Sequence, residues 1–515
     1  MLLPLLTCLL GGAAMLAVIF YLYFSRNFDF WKRLGVPYIK PSLFFGSLGP
    51  AFVQRVDVAH HLKTFYEAHR DTPYVGFFAF DRPALLINDL DLVKNVLVKD
   101  AQNFIDHVID IDKSVDPLFG RMLFSLKGER WRHVRVNLTP VFTSGKMKKM
   151  FHLVKICSDQ LLQHLEKITA DGKPVPIKET MSRYTTDVIS SCAFGIDSNT
   201  LSNPNAEVRL KLRKFFDYSV MKGVASMFMM FAPALQNFFG LRFLDSDASN
   251  FLRSTVWNTV DYREKNGVVR RDFLENMIEL RKGSTQDKTN GVVGDKFKID
   301  GDTFIAQCFA FYFGGFESSG STLTFALYEL ALRPDIQARL REEIVQVLAR
   351  HDNQVTYDAI QEITYLDMVI SETLRLRPVL GFLDRVCVKD YQIPHPSGKG
   401  QITLPAGTPV YISMLGIHHN PDIYPEPYKF DPERFTEENK QKRPGVSHLP
   451  FGEGPRICIG MRFGLLQVKV ALSNVLMNYE VTPSKDTPIP LIYDKRTFLL
   501  QTRTEIPLTF KKILA

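Results

Sequence analysis

Residues 302–332 constrain this chain more than any other stretch: they are apolar nearly all round, lack proline, and stop only at Arg333-Pro334. Asp302 or Thr303 can cap them as a helix, on the order of 45 Å long at ~1.5 Å per residue. A helix apolar on every side either runs buried through the middle of a domain or crosses a membrane. Glu317, set among Gly314, Gly315 and several hydroxyls, argues against the membrane, where an ionisable side chain is costly. The rest of the chain must then wrap this one helix. Residues 74–80 and 83–87 are short apolar runs between turn residues and predict strands, while 497–500 and 506–510 read as a hairpin pair. From residue 91 onward the texture is mainly helical, so the expected class is mainly α with a smaller β part (α+β). The polar stretch 282–300, just ahead of the long helix, predicts a surface loop.

Such a fold needs a large core, and 515 residues at 45% hydrophobic and 23% charged can supply it. No Gly/Ser or Pro-rich linker divides the chain and no fixed-period repeat occurs, which favours one large unit. Net charge is +8 with pI near 9.0, yet Lys and Arg are interleaved with acids. With no nucleic-acid-reading motif, the excess suits docking or a membrane surface, and no nucleic-acid partner is expected. The six cysteines stand singly at 8, 157, 192, 308, 387 and 458. They lack the pairs of a zinc site and the four ligands of an iron–sulfur cluster, a usage that fits a reducing compartment.

Residues 2–24 carry no charged side chain and are long enough to cross a bilayer as a helix. A cleaved signal peptide needs a basic leading region and a shorter apolar run. Here Arg26, Lys32 and Arg33 follow the run instead, a pattern that holds the downstream chain in the cytosol. A buried soluble helix is the remaining alternative. Pro37, Pro41 and Pro50 break any continuing helix, so a stiff extended segment should come next. The expected organisation is a transmembrane anchor over 1–25, a basic, proline-containing linker over 26–50, and one domain over 51–515.

The strongest local signal is Phe451-Gly452-Glu453-Gly454-Pro455-Arg456-Ile457-Cys458-Ile459-Gly460. A lone cysteine in a loop is ordinarily a small buried hydrophobe. Glycines on both sides of this one let backbone approach the sulfur and leave clearance for something large beside it. Arg456 favours a charged sulfur and can pair with an acid group on the same cofactor.

This pattern of Phe451, Gly454, Arg456, Cys458 and Gly460 resembles the haem-binding signature of the cytochrome P450 family. Other matching segments follow in the family's order: Trp131 and Arg135 in Trp131-Arg132-His133-Val134-Arg135, Gly314-Gly315-Phe316-Glu317-Ser318-Ser319, Glu372 and Arg375 in Ser371-Glu372-Thr373-Leu374-Arg375, and Arg434 in Phe430-Asp431-Pro432-Glu433-Arg434-Phe435. The resemblance covers essentially everything after the anchor. Leu138-Thr139-Pro140-Val141-Phe142-Thr143-Ser144-Gly145-Lys146-Met147 is similar to the insect microsomal subgroup that oxidises foreign compounds.

The resemblance implies a cytochrome P450 fold with haem b buried against the long central helix, and an endoplasmic reticulum membrane location with the domain on the cytosolic side. It makes Cys458 the axial thiolate and metal ligand, Phe451 and Gly460 its flanking cofactor contacts, and Trp131, Arg135, Arg385 and Arg456 candidate partners of the propionates. Glu372, Arg375 and Arg434 become a structural ion network; read alone, Glu372 and Arg375 are an ordinary surface pair three apart on a helix. Gly314 and Gly315 cost about 1 kcal/mol each relative to alanine in a helix interior, and a kink that opens room for O2 would account for them. Gly315, Glu317 and Ser318 then form the catalytic set, with the acid as proton relay and the hydroxyl as donor or holder of a water. Most family members carry threonine where this chain has Ser318, which puts the efficiency of proton delivery in question; Ser318 bonding back to its own helix carbonyl is the plainer reading.

The implied activity is monooxygenation of small lipophilic substrates by O2. Electrons must come from outside, since the chain has no dinucleotide fingerprint. The resemblance implies an NADPH-cytochrome P450 reductase in the same membrane, with cytochrome b5 as a further donor. Phe104, Ile105, Val108, Ile109, Ile111, Leu118, Phe119 and Met122 form an apolar stretch where relatives contact substrate, and residues 215–243 either roof the pocket, dip into a membrane surface, or pack as core. Lys127, Arg130, Arg132, Lys146, Lys148, Lys149, Lys442 and Arg443 suggest a docking face for the reductase. A haem-thiolate isomerase or lyase, and a catalytically silent membrane haem protein, are the competing readings.

Overall fold

The computed structural model describes residues 2–216, 219–286, 299 and 301–513. The uncharged N-terminus forms α1 (Leu2–Ser25), along which Leu9, Leu16 and Leu22 are exposed. Among the described residues no helix is long and apolar enough to cross a membrane, so the span expected over 1–25 is not shown. The segment after α1 is held against the domain. Arg26 pairs with Asp81 at 2.8 Å, and Asn27 Nδ2 donates to the Asp81 carbonyl. Trp31 is fully buried, with its indole N–H donating to Phe77 O. It lies under Gly76, where a Cβ would stand 2.4 Å from the indole. Gly76 N donates to Pro37 O and Ile39 N to Gly76 O, each at 2.8 Å. The helix does not continue through the prolines: Phe30–Arg33 and Gly49–Phe52 are single turns, the second with Pro50 in its first turn where no N–H is needed, and the Pro37 carbonyl pairs with the sheet edge.

β1 (Tyr74–Ala79) and β2 (Arg82–Ile87) form a hairpin with Tyr74 opposite Ile87, close to the expected runs. Every residue of β1 is buried, which is why it reads as continuous rather than alternating apolarity. Helices α2 (Gly128–Leu138) and α3 (Ser144–Thr169) come after it, then a short strand β3 (Val175–Pro176) leading into α4 (Ile177–Ile189). α5 (Val220–Phe231) and α6 (Pro233–Phe238) are next. α7 (Phe273–Gln286) extends into the loop expected over 282–300; the remainder of that stretch, apart from Ile299, lies outside the described residues.

The long helix is present as α8 (Gly301–Ala331). Its end follows from Arg333, whose extended backbone (φ −136°, ψ 80°) is what a residue before proline prefers. Phe304–Phe309 and Ser319–Ala331 are buried along it. α4 packs against it so closely that a Cβ on Gly320 would lie 3.2 Å from Thr185 Oγ1. Beyond it are α9 (Thr364–Leu376), strands β4 (Leu383–Val386), β5 (Tyr391–Pro394), β6 (Gln401–Leu404) and β7 (Pro409–Ile412), and α10 (Met461–Asn478). β8 (Tyr479–Pro483) and β9 (Pro507–Lys512) complete the strands among the described residues. The main sheet runs β1-β2-β7-β4, with β2 and β7 parallel. The expected hairpin of 497–500 with 506–510 does not form. β9 pairs with β8 and β3, and Leu499 bridges Leu380 instead. The fold is mostly helical with a small β part.

Candidate active site

The cysteine loop is closed by its own backbone. Cys458 N donates to Phe451 O at 2.8 Å and Ile457 N to Gly454 O at 3.0 Å. Gly454 is in the left-handed region at φ 73°, and a Cβ there would overlap Leu97 O. The chain then turns straight into α10, whose cap is Gly460. Cys458 has accessible surface, with many protein atoms packed around its sulfur. Enclosure pushes its thiol up, while the Gly460 N–H and the Arg135 cation pull the other way. A helix N-terminus favours an anion in the same place.

Arginines surround this loop. Arg456 donates from Nε to Ile105 O and from Nη2 to Leu126 O, both at 2.7 Å, and lies 4.2 Å over the buried Trp131 ring. Burial lowers its pKa to about 9, with Asp106 opposing and Arg385 and Arg135 adding to the fall. Arg385, on β4, is 3% exposed and donates to the Asp384 carbonyl. Arg135, on α2, has no carboxylate partner among the described residues; the titratable group acting on it is the Cys458 thiol. The acids nearby are Asp106 and Asp384. Burial pushes Asp384 up, but His107 Nδ1 at 3.0 Å and the Val108 N–H at 2.6 Å more than offset it and hold it ionised. His107, Asp106 and Asp384 belong to the cluster and carry no sequence signal, because their partners lie hundreds of positions away. The cluster thus holds more guanidinium donors than carboxylates. That surplus beside an accessible cysteine suits haem b, which brings its own carboxylates.

α10 carries the loop to the middle of α8: Phe463 packs 4.9 Å from Phe311, and Gln467 Nε2 donates to Gly315 O and Ser319 Oγ at 3.1 and 2.7 Å. The two adjacent glycines divide their roles. Gly315, expected at the oxygen site, has its Cα face against Ile189, where a Cβ would stand 2.5 Å away. Gly314 is exposed in mid-helix, with nothing within 4 Å of a Cβ built there. No kink is needed for this, since α8 is continuous through both. Ser318 Oγ donates to Gly314 O, the back-bonded arrangement, and so borders the same open space. Burial raises the Glu317 carboxyl above its usual range, against the pull of Lys178, the Ser321 hydroxyl and Arg209.

The structural set is brought together. Arg375 binds Glu372 through Nε and Nη2 at 2.6 and 2.8 Å, with both side chains at 0% exposure. Arg434 Nε lies 3.5 Å from Glu372 Oε1, and Asp431 N donates to the same oxygen. The basic face is less uniform. Lys127, Lys146, Lys148 and Lys442 are paired with Asp110, Glu279, Asp358 and Glu438. Arg443 is half-buried over Tyr424 and Phe435 and leaves that surface.

The expected substrate stretch is buried throughout except for the half-buried Ile105. Phe119 and Phe243 stand 4.8 Å apart and pack on Phe313, directly before Gly314. Within residues 215–243, Met229, Met230 and Phe231 are core, while Val220, Met221, Phe238 and Phe239 are exposed.

Comparison with known proteins agrees with this geometry. The cytochrome P450 family model matches residues 41–509. Cytochrome P450 6j1 of Blattella germanica is 47% identical over 492 residues, covering 96% of this chain and 95% of that relative. Cytochrome P450 6k1 of the same insect is 43% identical over 512 residues (98% and 96%), and cytochrome P450 6a2 of Drosophila melanogaster 39% over 505 (97% and 98%). Proteins of this family bind haem b through an axial cysteine thiolate, and use O2 and a redox partner as monooxygenases. With a match that spans nearly the whole described chain, a cysteine loop at a helix N-terminus and a surplus of arginines around it, this protein belongs to the cytochrome P450 family and is a cytochrome P450 monooxygenase.

Proposed function

We propose that this enzyme oxidises small lipophilic compounds, foreign molecules such as plant toxins or insecticides first among them and endogenous lipids or hormones second, with Cys458 as the axial ligand of haem b. The observation that carries the reading is an accessible sulfur at the start of α10 with Arg135 as its charged neighbour. When bound, the haem supplies O2 activation, which the thiolate favours by pushing electron density toward the iron. The chain's own residues do the rest. Arg135, Arg385 and Arg456 hold the propionate carboxylates, with Trp131 as the platform under Arg456. Phe451 and Gly460 fix the sulfur's direction through the Cys458 N–H and the N–H facing the sulfur. Gly314 leaves room beside the helix, Gly315 lets α4 approach, and Ser318 and Glu317 pass protons toward that room. Glu372, Arg375 and Arg434 hold the segment that leads into the loop.

Electrons come from NADPH through a flavoprotein reductase, with cytochrome b5 as a further donor, at the face bearing Lys127, Arg130, Arg132, Lys146, Lys148 and Lys149. α1 anchors the protein in the endoplasmic reticulum membrane, aided by Val220, Met221, Phe238 and Phe239, with the domain on the cytosolic side. A rearranging enzyme would need neither the buried acid nor the donor. In the test, Cys458→Ser abolishes the red-shifted carbon monoxide band of the reduced protein, while wild type converts lipophilic compounds only with NADPH and reductase. A band that survives removes Cys458 as ligand, and product without NADPH removes the monooxygenase reading.

A further inference from the structure

We propose that Asp116 is a positioning residue for substrate: its buried carboxyl group clasps two separate segments whose rings pack on α8 just before the open face of Gly314, and so selects planar aromatic molecules over linear ones. The inference rests on the monooxygenase reading above and adds a substrate class to it.

Asp116 is 1% exposed and makes no ion pair among the described residues. Its oxygens accept three backbone N–H groups, from Phe119 at 3.1 Å, Phe243 at 3.1 Å and Leu244 at 2.9 Å. One donor belongs to its own segment and two to the stretch after α6. Asn237, on α6, adds a second clasp in the same place, donating from Nδ2 to Asp110 O at 2.9 Å and accepting from Asp112 N at 3.0 Å. Burial raises this carboxyl, and the three N–H donors, with the Arg242 cation further off, oppose that cost. If the roof served only to exclude water, apolar packing would do that without this cost. What the clasp adds is registry: the donors it gathers are the backbone of Phe119 and Phe243, the two rings that meet over α8.

Those rings have defined geometry. Phe119 and Phe243 are 4.8 Å apart, and each packs edge-on against Phe313, at 5.8 and 5.7 Å with interplanar angles of 86° and 80°. Phe119 is buried, whereas Phe243 and Phe313 keep accessible surface, and Phe313 directly precedes the exposed Gly314. A flat aromatic ligand gains from rings held in fixed orientation, while a flexible chain gains only from buried area. Loosening the clasp therefore affects the two classes unequally.

The full-length, haem-loaded enzyme tests this with 2-methoxynaphthalene and with nonyl methyl ether, by the shift of the haem absorption band on binding and by turnover with reductase. In Asp116→Ala and in Asn237→Ala, the dissociation constant for the naphthyl ether should weaken by about fivefold, within what a lost aromatic pair gives. That for the linear ether should stay within about twofold, since its burial is unchanged. Equal weakening for both, or none in a variant that keeps its carbon monoxide band, overturns the proposal, as does a wild type that binds the naphthyl ether no tighter than the linear one. Should Asp116→Ala fail to load haem, Asn237→Ala decides alone, because α6 lies at the surface. A wild type that shows the binding preference but forms no product overturns the monooxygenase reading and leaves the clasp standing.

Discussion

Glu317 is an acid whose chemistry comes from where it is held. Burial keeps its carboxyl protonated above the ordinary carboxylate range, so it can give up a proton at pH values where an exposed glutamate could not. If it is the donor, product formation falls as pH rises through that raised value, because the ionised form has no proton to give. Glu317→Gln should lower kcat by roughly 10²-fold, the low end for a positioned acid–base group, and flatten the alkaline limb of the pH–rate profile. An unchanged profile would move the role to Ser318 or water. At this scale the sequence revealed groups whose meaning is local. The glycine-flanked Cys458 is such a case, since the spacing that frames its sulfur lies within ten residues. Asp116, His107 and Asp384 were not legible, because a buried carboxylate is defined by donors far along the chain, such as Phe243 N on Asp116 and His107 on Asp384. Ser318 was legible in type, but its bond to Gly314 O appears only once the helix is built.

Elements were legible where their ends are chemically marked. α8 begins at Gly301, with φ 48°, and gives way at Arg333-Pro334, so its expected limits differ by about one residue. The pairing of β9 was not legible, because a strand's partner is chosen by tertiary contact, and β8 with β3 wins over the nearer 497–500. The Glu372–Arg375 spacing on α9 predicts a contact, whereas its complete burial follows from what covers it: the His418 and Lys429 carbonyls also accept from Arg375. Removing one member leaves the other charged and dry. Arg375→Ala should therefore cost about 3–5 kcal/mol of stability, read as an earlier urea midpoint and a reduced yield of protein with the carbon monoxide band. A midpoint within about 0.5 kcal/mol of wild type, as for an ordinary surface change, would show that the network does not hold the segment.

On the scale of the whole molecule, net charge alone says little about where a partner lands. Lys148 is already paired with Asp358, whereas Lys149 stands exposed beside it. Lys149→Glu should slow the first electron transfer from reductase by roughly threefold at low salt, with the difference fading as ionic strength rises, because a rim charge acts on encounter and is screened. Equal rates at both salt concentrations would place the docking surface elsewhere. The packing of residues 26–50 was not legible in the sequence, since nothing nearby announces that Gly76 makes room for Trp31. That packing also limits how the molecule can swivel. Arg26 and Asn27 grip Asp81 immediately after α1 ends, and Trp31 is pinned to the sheet a few residues later. There is almost no slack between helix and hairpin, so the tilt of α1 is transmitted to the sheet like that of a rudder on a short post. Were α1 held as the anchor proposed above, the body would hold a preferred heading instead of tumbling on a string, and one side of it would always be presented to whatever diffuses in the plane.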